Sequence, residues 1–232
     1  MPPRSSSERP QSPPGSVTDT ARKPCIYVLA GTNGAGKSSI GGAMFLRAGA
    51  EYFDPDDAAR KFLLAYPGIT QADANSAAWR EGKRLLERAI AERCGYAFET
   101  TLGGTTITTL LEGALDAGIE VRIWYVGLAS PELHIARVRA RVKKGGHDIP
   151  EDRIRERFDQ SRLNLVRLLP RLTELRVFDN SEEADPQSGV PPKPKILLHW
   201  VRGKVASTCD LALTPYWAKP ILAAAMKAAG GP

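Results

Sequence analysis

The most restrictive feature of the chain is an octapeptide with glycines at fixed offsets, Gly31-Thr32-Asn33-Gly34-Ala35-Gly36-Lys37-Ser38, placed directly after the apolar run Ile26-Tyr27-Val28-Leu29-Ala30. It matches G-x-x-x-x-G-K-S in the strand-to-helix setting that the motif requires. The glycines let the backbone bend so that successive N–H groups point at phosphate oxygens, and the following helix turns its positive end to the same spot. Lys37 is therefore expected to reach the β- and γ-phosphates of ATP, and the Ser38 hydroxyl to help hold Mg²⁺. The candidate nucleotide-binding stretch runs from Gly31 through Ser38 and its neighbour Ser39. A glycine-rich turn without a ligand is the bland alternative, and hydrolysing motors share the same loop.

Around this loop the chain alternates short apolar runs with longer helical patterns, which predicts an α/β fold with a mostly parallel sheet covered by helices. Strands are expected at Cys25–Ala30, Glu51–Phe53, Tyr96–Glu99, Val121–Gly127, Arg176–Asp179 and Lys195–His199, and helices at Lys37–Leu46, Ala72–Glu92, Thr106–Ala117, Pro131–Lys143, Glu151–Leu169 and Tyr216–Ala228. With 232 residues, 42% of them hydrophobic and 25% charged, the chain suits one domain. Residues 1–24 are dense in proline and serine and read as a flexible tail, leaving 25–232 as the domain. A second low-complexity break, Ser181–Pro194, reads as a surface loop. No apolar run approaches the length of a membrane span, so a cytoplasmic protein is expected. Cys25, Cys94 and Cys209 stand apart from one another and read as reduced and structural.

Strand ends on the loop side of such a sheet are where ligands bind. The second strand ends in Phe53-Asp54-Pro55-Asp56-Asp57, where a carboxylate can orient an acceptor hydroxyl and take its proton; Asp56 is the candidate base. These aspartates equally suit the start of a helix near Ala58, with Asp54 or Asp57 as its cap. The third strand ends in Phe98-Glu99-Thr100-Thr101-Leu102-Gly103-Gly104-Thr105, a polar pocket floor in which Glu99 can accept from acceptor hydroxyls or steady a magnesium-bound water and Thr101 can donate. After the fifth strand, Asp179-Asn180-Ser181 fits either a contact to adenine or ribose or an Asx-type turn.

The net charge of +6 is concentrated in the segment Arg137 to Arg157, where two arginine-bearing helices meet at Gly145-Gly146. Arg137 and Arg141 share a helix face, as do Arg153 and Arg157. A hinged arginine lid, about residues 137–165, delivers positive charge to a transferring phosphoryl group and excludes water, which makes Arg141 and Arg157 the candidates for the γ-phosphate. The alternative is a solvated face laced by Glu151, Asp152 and Glu156. The hinge glycines and His147 have no packing purpose visible in the sequence. Interleaved aromatics for stacking bases are absent from the run Arg137 to Arg157, which argues against a nucleic-acid partner.

Taken together, Gly31–Ser38, Phe53–Asp56, Phe98–Leu102, the lid with its Gly145-Gly146-His147-Asp148-Ile149-Pro150 centre, Asn164-Leu165 and Asp179-Asn180-Ser181 resemble the zeta-toxin family, in its shorter form, over residues 23–225. The resemblance implies a three-layer P-loop kinase fold and an enzyme that phosphorylates a sugar hydroxyl of UDP-N-acetylglucosamine or a related UDP-sugar, as the toxin of a toxin–antitoxin pair with a small helical antitoxin. It implies that Lys37 and Ser38 bind ATP and magnesium, that Asp56 is the base, that Glu99 and Thr101 meet the acceptor, and that Arg141 and Arg157 are the lid arginines. The chain departs from the family at Gly103-Gly104-Thr105, where many members carry a basic residue, so the alternatives are a non-toxin P-loop kinase for another acceptor, such as a nucleotide, NAD or an antibiotic, and a nucleic-acid-stimulated NTPase.

Overall fold

The computed structural model describes residues 23–37, 40, 52–182 and 193–230. Among the described residues seven strands, β1 (Cys25–Ala30), β2 (Tyr52–Phe53), β3 (Tyr96–Thr100), β4 (Glu120–Gly127), β5 (Glu174–Asp179), β6 (Lys195–Val201) and β7 (Lys204–Thr208), form one sheet in the order β2-β3-β1-β4-β5-β6-β7. The first five in that order are parallel, and β6 and β7 extend the edge antiparallel. Central β1 is apolar almost throughout because both of its faces are covered. Strand β7 adds an element to the sequence expectations. It folds back from β6 through Arg202-Gly203, both at positive φ (45° and 83°), the geometry of a two-residue hairpin turn.

Helices with fully described bounds accompany the sheet: α1 (Pro55–Ala65), α2 (Gln71–Ala91), α3 (Thr105–Asp116), α4 (Pro131–Val142), α5 (Glu151–Leu168) and α6 (Lys219–Ala229). The main core lies on one face, where Val28, Phe98, Ile123 and Val177 of the strands meet Leu86 of α2, Leu111 of α3, Leu165 of α5 and Ile221 of α6. Each such side chain contributes about 1.5–3 kcal/mol on burial. The opposite face packs Leu29, Ala97 and Val126 with Ala35 and Ile40. Lys37 and Ile40 are helical, and the rest of the helix expected at Lys37–Leu46 lies outside the described residues, as do most of the expected tail and of the loop Ser181–Pro194.

Two smaller clusters shape what stands above the sheet. Helices α1 and α2 form an arm around Ala59, Ala74 and Ala78, with Phe62, Leu63 and Ile69 packed on them. Helices α4 and α5 close on each other through Ile135, Val138, Ile149 and Ile154, which makes the arginine segment a separate hairpin with its own core. No helix among the described residues is long and apolar enough to cross a membrane.

Candidate active site

After β1 the chain passes to β2 and β3 on one side and to β4 and β5 on the other, so a crevice opens at the carboxyl ends of the central strands. The glycine loop sits there. Gly31, Gly34 and Gly36 all have positive φ (142°, 81° and 83°). A Cβ on Gly31 would lie 2.1 Å from the Val126 carbonyl oxygen, and one on Gly34 2.7 Å from the His134 carbonyl oxygen, so side chains are excluded by both backbone conformation and space.

The loop is braced from three directions. Asn180 Nδ2 donates to the Ala35 carbonyl (2.9 Å), His134 Nδ1 meets the Asn33 carbonyl (2.8 Å), and Arg157 donates to Asn33 Oδ1 (2.7 Å) while its own carbonyl accepts from Thr32 Oγ1 (3.3 Å). Burial holds the His134 imidazole down to about 4, so it is neutral near pH 7 and its Nδ1–H is the donor to Asn33. Burial, then neighbouring Arg153, also lowers Arg157 from the usual guanidinium value. At the loop's end the Lys37 ammonium is buried (7% exposed), donates to the Gly31 carbonyl (2.8 Å) and lies 3.4 Å from Glu99 Oε1. The second Glu99 oxygen accepts from Tyr52 Oη (3.0 Å), whose hydroxyl is kept protonated by burial and by the Glu99 charge.

Asp54, not Asp57, caps α1, accepting from the backbone N–H of Asp56 at 2.8 Å. The helix thus begins earlier than the expected start near Ala58, and Asp57 turns outward to Arg60 and Lys61. Burial and the Glu99 charge raise Asp54 above the usual carboxylate value. Asp56, half exposed, faces the lid: Arg141 donates to its Oδ2 at 3.2 Å and His147 Nε2 lies 4.0 Å from its Oδ1. Arg141 also donates to the His147 carbonyl (3.3 Å). The hinge glycine Gly146 does have a packing role, since a Cβ there would stand 2.7 Å from Arg141 Cγ.

A cavity of about 320 Å³ brings together Gly34, Lys37, Asp56, Glu99, Arg137 and Arg141. Thr101 lines it too, and Asp56, Glu99 and Thr101 continue into a larger one of about 820 Å³, bounded by α2, Phe53 and the lid residues Arg153 and Arg157. Of the lid arginines, Arg137 and Arg141 line the smaller cavity, whereas Arg157 packs against the glycine loop. That packing requires Gly103, where a Cβ would be 2.8 Å from Arg157 Cγ. The preceding Leu102 is held at φ 55°, its N–H on Thr100 Oγ1 and its carbonyl on Asn164 Nδ2. The Asp179-Asn180-Ser181 segment turns inward, with Asp179 accepting from Trp217 Nε1 (3.2 Å) and Asn180 bracing the loop. Ser38 and Ser39 lie outside the described residues. Tyr52 and His134 were not among the sequence candidates; the one weak signal for His134 is a polar residue on the inward stripe that Ile135 and Val138 mark.

A mostly parallel sheet, a glycine loop ending in a buried lysine at its switch point, and an arginine-bearing helical hairpin above it define a P-loop kinase. The zeta toxin family profile matches residues 15–185, and the chain belongs to that family. An uncharacterized protein of Haemophilus influenzae (strain ATCC 51907 / DSM 11121 / KW20 / Rd) is 33% identical over 129 residues, 55% of this chain and 88% of the relative. Among solved structures, AvrRxo1-ORF1:-ORF2 with ATP aligns with a TM-score of 0.61 at 16% identity, covering 89% of this chain and 77% of that chain. The PezAT chromosomal toxin–antitoxin system of Streptococcus pneumoniae aligns with a TM-score of 0.52 at 15% identity, covering 69% of each.

Proposed function

We propose that the chain transfers the γ-phosphate of ATP to a sugar hydroxyl of UDP-N-acetylglucosamine or a related UDP-sugar, and acts in the cytoplasm as the toxin of a toxin–antitoxin pair. The observation that carries this reading is that Lys37 and Asp56 line one cavity and that this cavity opens directly into a larger one. A triphosphate laid along the glycine loop puts its γ-phosphate beside Lys37, and an acceptor in the larger cavity meets Asp56. Membership of the zeta toxin family and the ATP present in the AvrRxo1-ORF1 structure support the donor. Because that neighbour is a two-component complex and PezAT is a toxin–antitoxin system, a small helical antitoxin is the proposed partner.

In this reading Asp56 takes the acceptor proton, Glu99 and Thr101 orient its hydroxyls, and Arg141 supplies positive charge to the lid side of the transferring group, while Arg157, bonded to Asn33, holds the loop that seats it. Arg141 donates to Asp56 at 3.2 Å. A γ-phosphate competing for the guanidinium releases the carboxylate as the donor becomes seated, so the base is unmasked only when there is a phosphate to transfer. Among the described residues no group of three or more His, Cys, Asp or Glu side chains is placed to hold a metal. Magnesium would be held by the triphosphate and the Ser38 hydroxyl, with Glu99 steadying a bound water. When bound, it neutralises charge on the β- and γ-phosphates. The buried ammonium and the side-chain-free cradle fit that polyanion.

The test is to incubate purified protein with ATP, Mg²⁺ and, separately, UDP-sugars, nucleosides and NAD, and to measure product mass. A gain of one phosphate on UDP-sugars is expected. Gain only on another acceptor contradicts the substrate, and no gain on any contradicts the kinase. Induced expression in a bacterium should stop growth, and the Asp56→Ala variant should not.

A further inference from the structure

The larger cavity extends well past Asp56, and its outer wall is helix α2. Asn75, Trp79 and Lys83 recur every four residues on that helix and form a single column along the cavity. The adjacent stripe, Ala74 and Ala78, is buried against α1, which fixes the rotation of the helix and the direction in which Trp79 faces. Gly82 lets the helix backbone meet Phe53, for a Cβ there would lie 2.7 Å from the ring. Because α2 runs toward the start of β3, Trp79 stands one turn farther from the strand ends than Lys83, about 6 Å of rise.

Trp79 remains 48% exposed. A lone apolar side chain on a convex surface needs no explanation, but a half-open indole on the wall of a cavity that adjoins a reactive carboxylate presents a flat, polarisable surface to whatever enters. Arg80 and Lys83 flank it and Arg153 lines the same cavity from the lid. Lys83 holds Glu87 and Arg153 holds Glu156, both in solvent-exposed pairs that contribute little and yield readily to a phosphate.

We propose that Trp79 is the stacking platform for a planar heterocycle carried by the acceptor, with Arg80, Lys83 and Arg153 neutralising the phosphates between that ring and the sugar. The inference rests on the kinase reading above and deepens it. It makes the acceptor a nucleotide-linked sugar, and it places the recognition of the ring on α2, outside the loop, strand-end and lid motifs. Stacking accepts any base, because every base has a π-face, so Trp79 selects for the presence of a ring and not for its identity.

Binding of UDP is measured by calorimetry with a saturating non-hydrolysable ATP analogue, which keeps UDP out of the glycine loop, for wild type, Trp79→Ala and Trp79→Phe. Circular dichroism and the thermal midpoint check that each variant is folded. Loss of the indole should weaken UDP binding about tenfold or more, and Trp79→Phe should restore most of it. In the transfer assay, Trp79→Ala should raise KM for UDP-N-acetylglucosamine far more than it lowers kcat, while N-acetylglucosamine 1-phosphate, which lacks the ring, should be a poor acceptor for all three proteins. Equal UDP affinity in wild type and Trp79→Ala, or equal use of the ringless acceptor by wild type, overturns the proposal and leaves the kinase standing. Absence of transfer to either acceptor removes N-acetylglucosamine as the sugar of the proposed function, while the UDP titration still decides the platform.

Discussion

The two halves of the cleft are built differently. On the nucleotide side Lys37 is only 7% exposed, and the loop is pinned by Asn180, His134 and Arg157 from three separate elements. On the acceptor side the Asp56 side chain is 52% exposed and is held by one lid arginine, and Trp79 is half open. A triphosphate always presents the same chain of oxygens, so a rigid, preorganised cradle suits it. An acceptor must enter, align a single hydroxyl and leave, and in the proposed reading the exposed Asp56 carboxylate, held only from the lid, leaves room for that.

That contrast can be broken at either end. Lys37→Ala should have the largest effect, lowering transfer by up to about a thousandfold and weakening ATP binding as well, because the buried ammonium serves ground state and transition state alike. Loss of ATP affinity without loss of turnover would remove it from the chemistry.

Next comes the bracing of the loop, through acid stability. His134 titrates near 4 in the folded chain against 6.5 unfolded, so the unfolded state binds its proton first as pH falls. Its contribution is complete above pH 6.5 and is lost progressively down to about pH 4, roughly 3 kcal/mol in all at about 1.4 kcal/mol per pK unit. Urea denaturation across that range should show the loss in wild type, and His134→Asn, which keeps a donor for Asn33, should flatten it.

Arg141→Ala should lower turnover by about a hundredfold with little change in ATP affinity, since its pull strengthens as charge develops. Equal losses in both would make it a ground-state contact. The smallest effect expected is that of Asp54→Ala, which removes the cap of α1 and costs about 1 kcal/mol of thermal stability.

The same contrast explains what the sequence made legible. The glycine loop is a local motif, so its setting between β1 and a helix could be read from neighbouring residues. Asp56 and Glu99 stand at strand ends and Arg141 in a basic run, features visible in the sequence, and the fold brings them to one cavity. Bracing by His134 was hidden because the residue lies 101 positions from Asn33 and looks like any member of an amphipathic helix. Trp79 was hidden for a related reason: on a helix with the alternation of α2, exposure toward solvent and exposure toward a cavity look identical. Strand β7 was missed because its turn, Arg202-Gly203, puts a non-glycine residue at positive φ, and its own residues are mostly exposed.

The most direct test of the account is single-turnover phosphate transfer by Asp56→Asn with ATP bound at saturation. A protein that holds ATP as tightly as wild type yet phosphorylates UDP-N-acetylglucosamine at least about a hundredfold more slowly is the predicted result. Transfer at the wild-type rate would show that another group removes the hydroxyl proton.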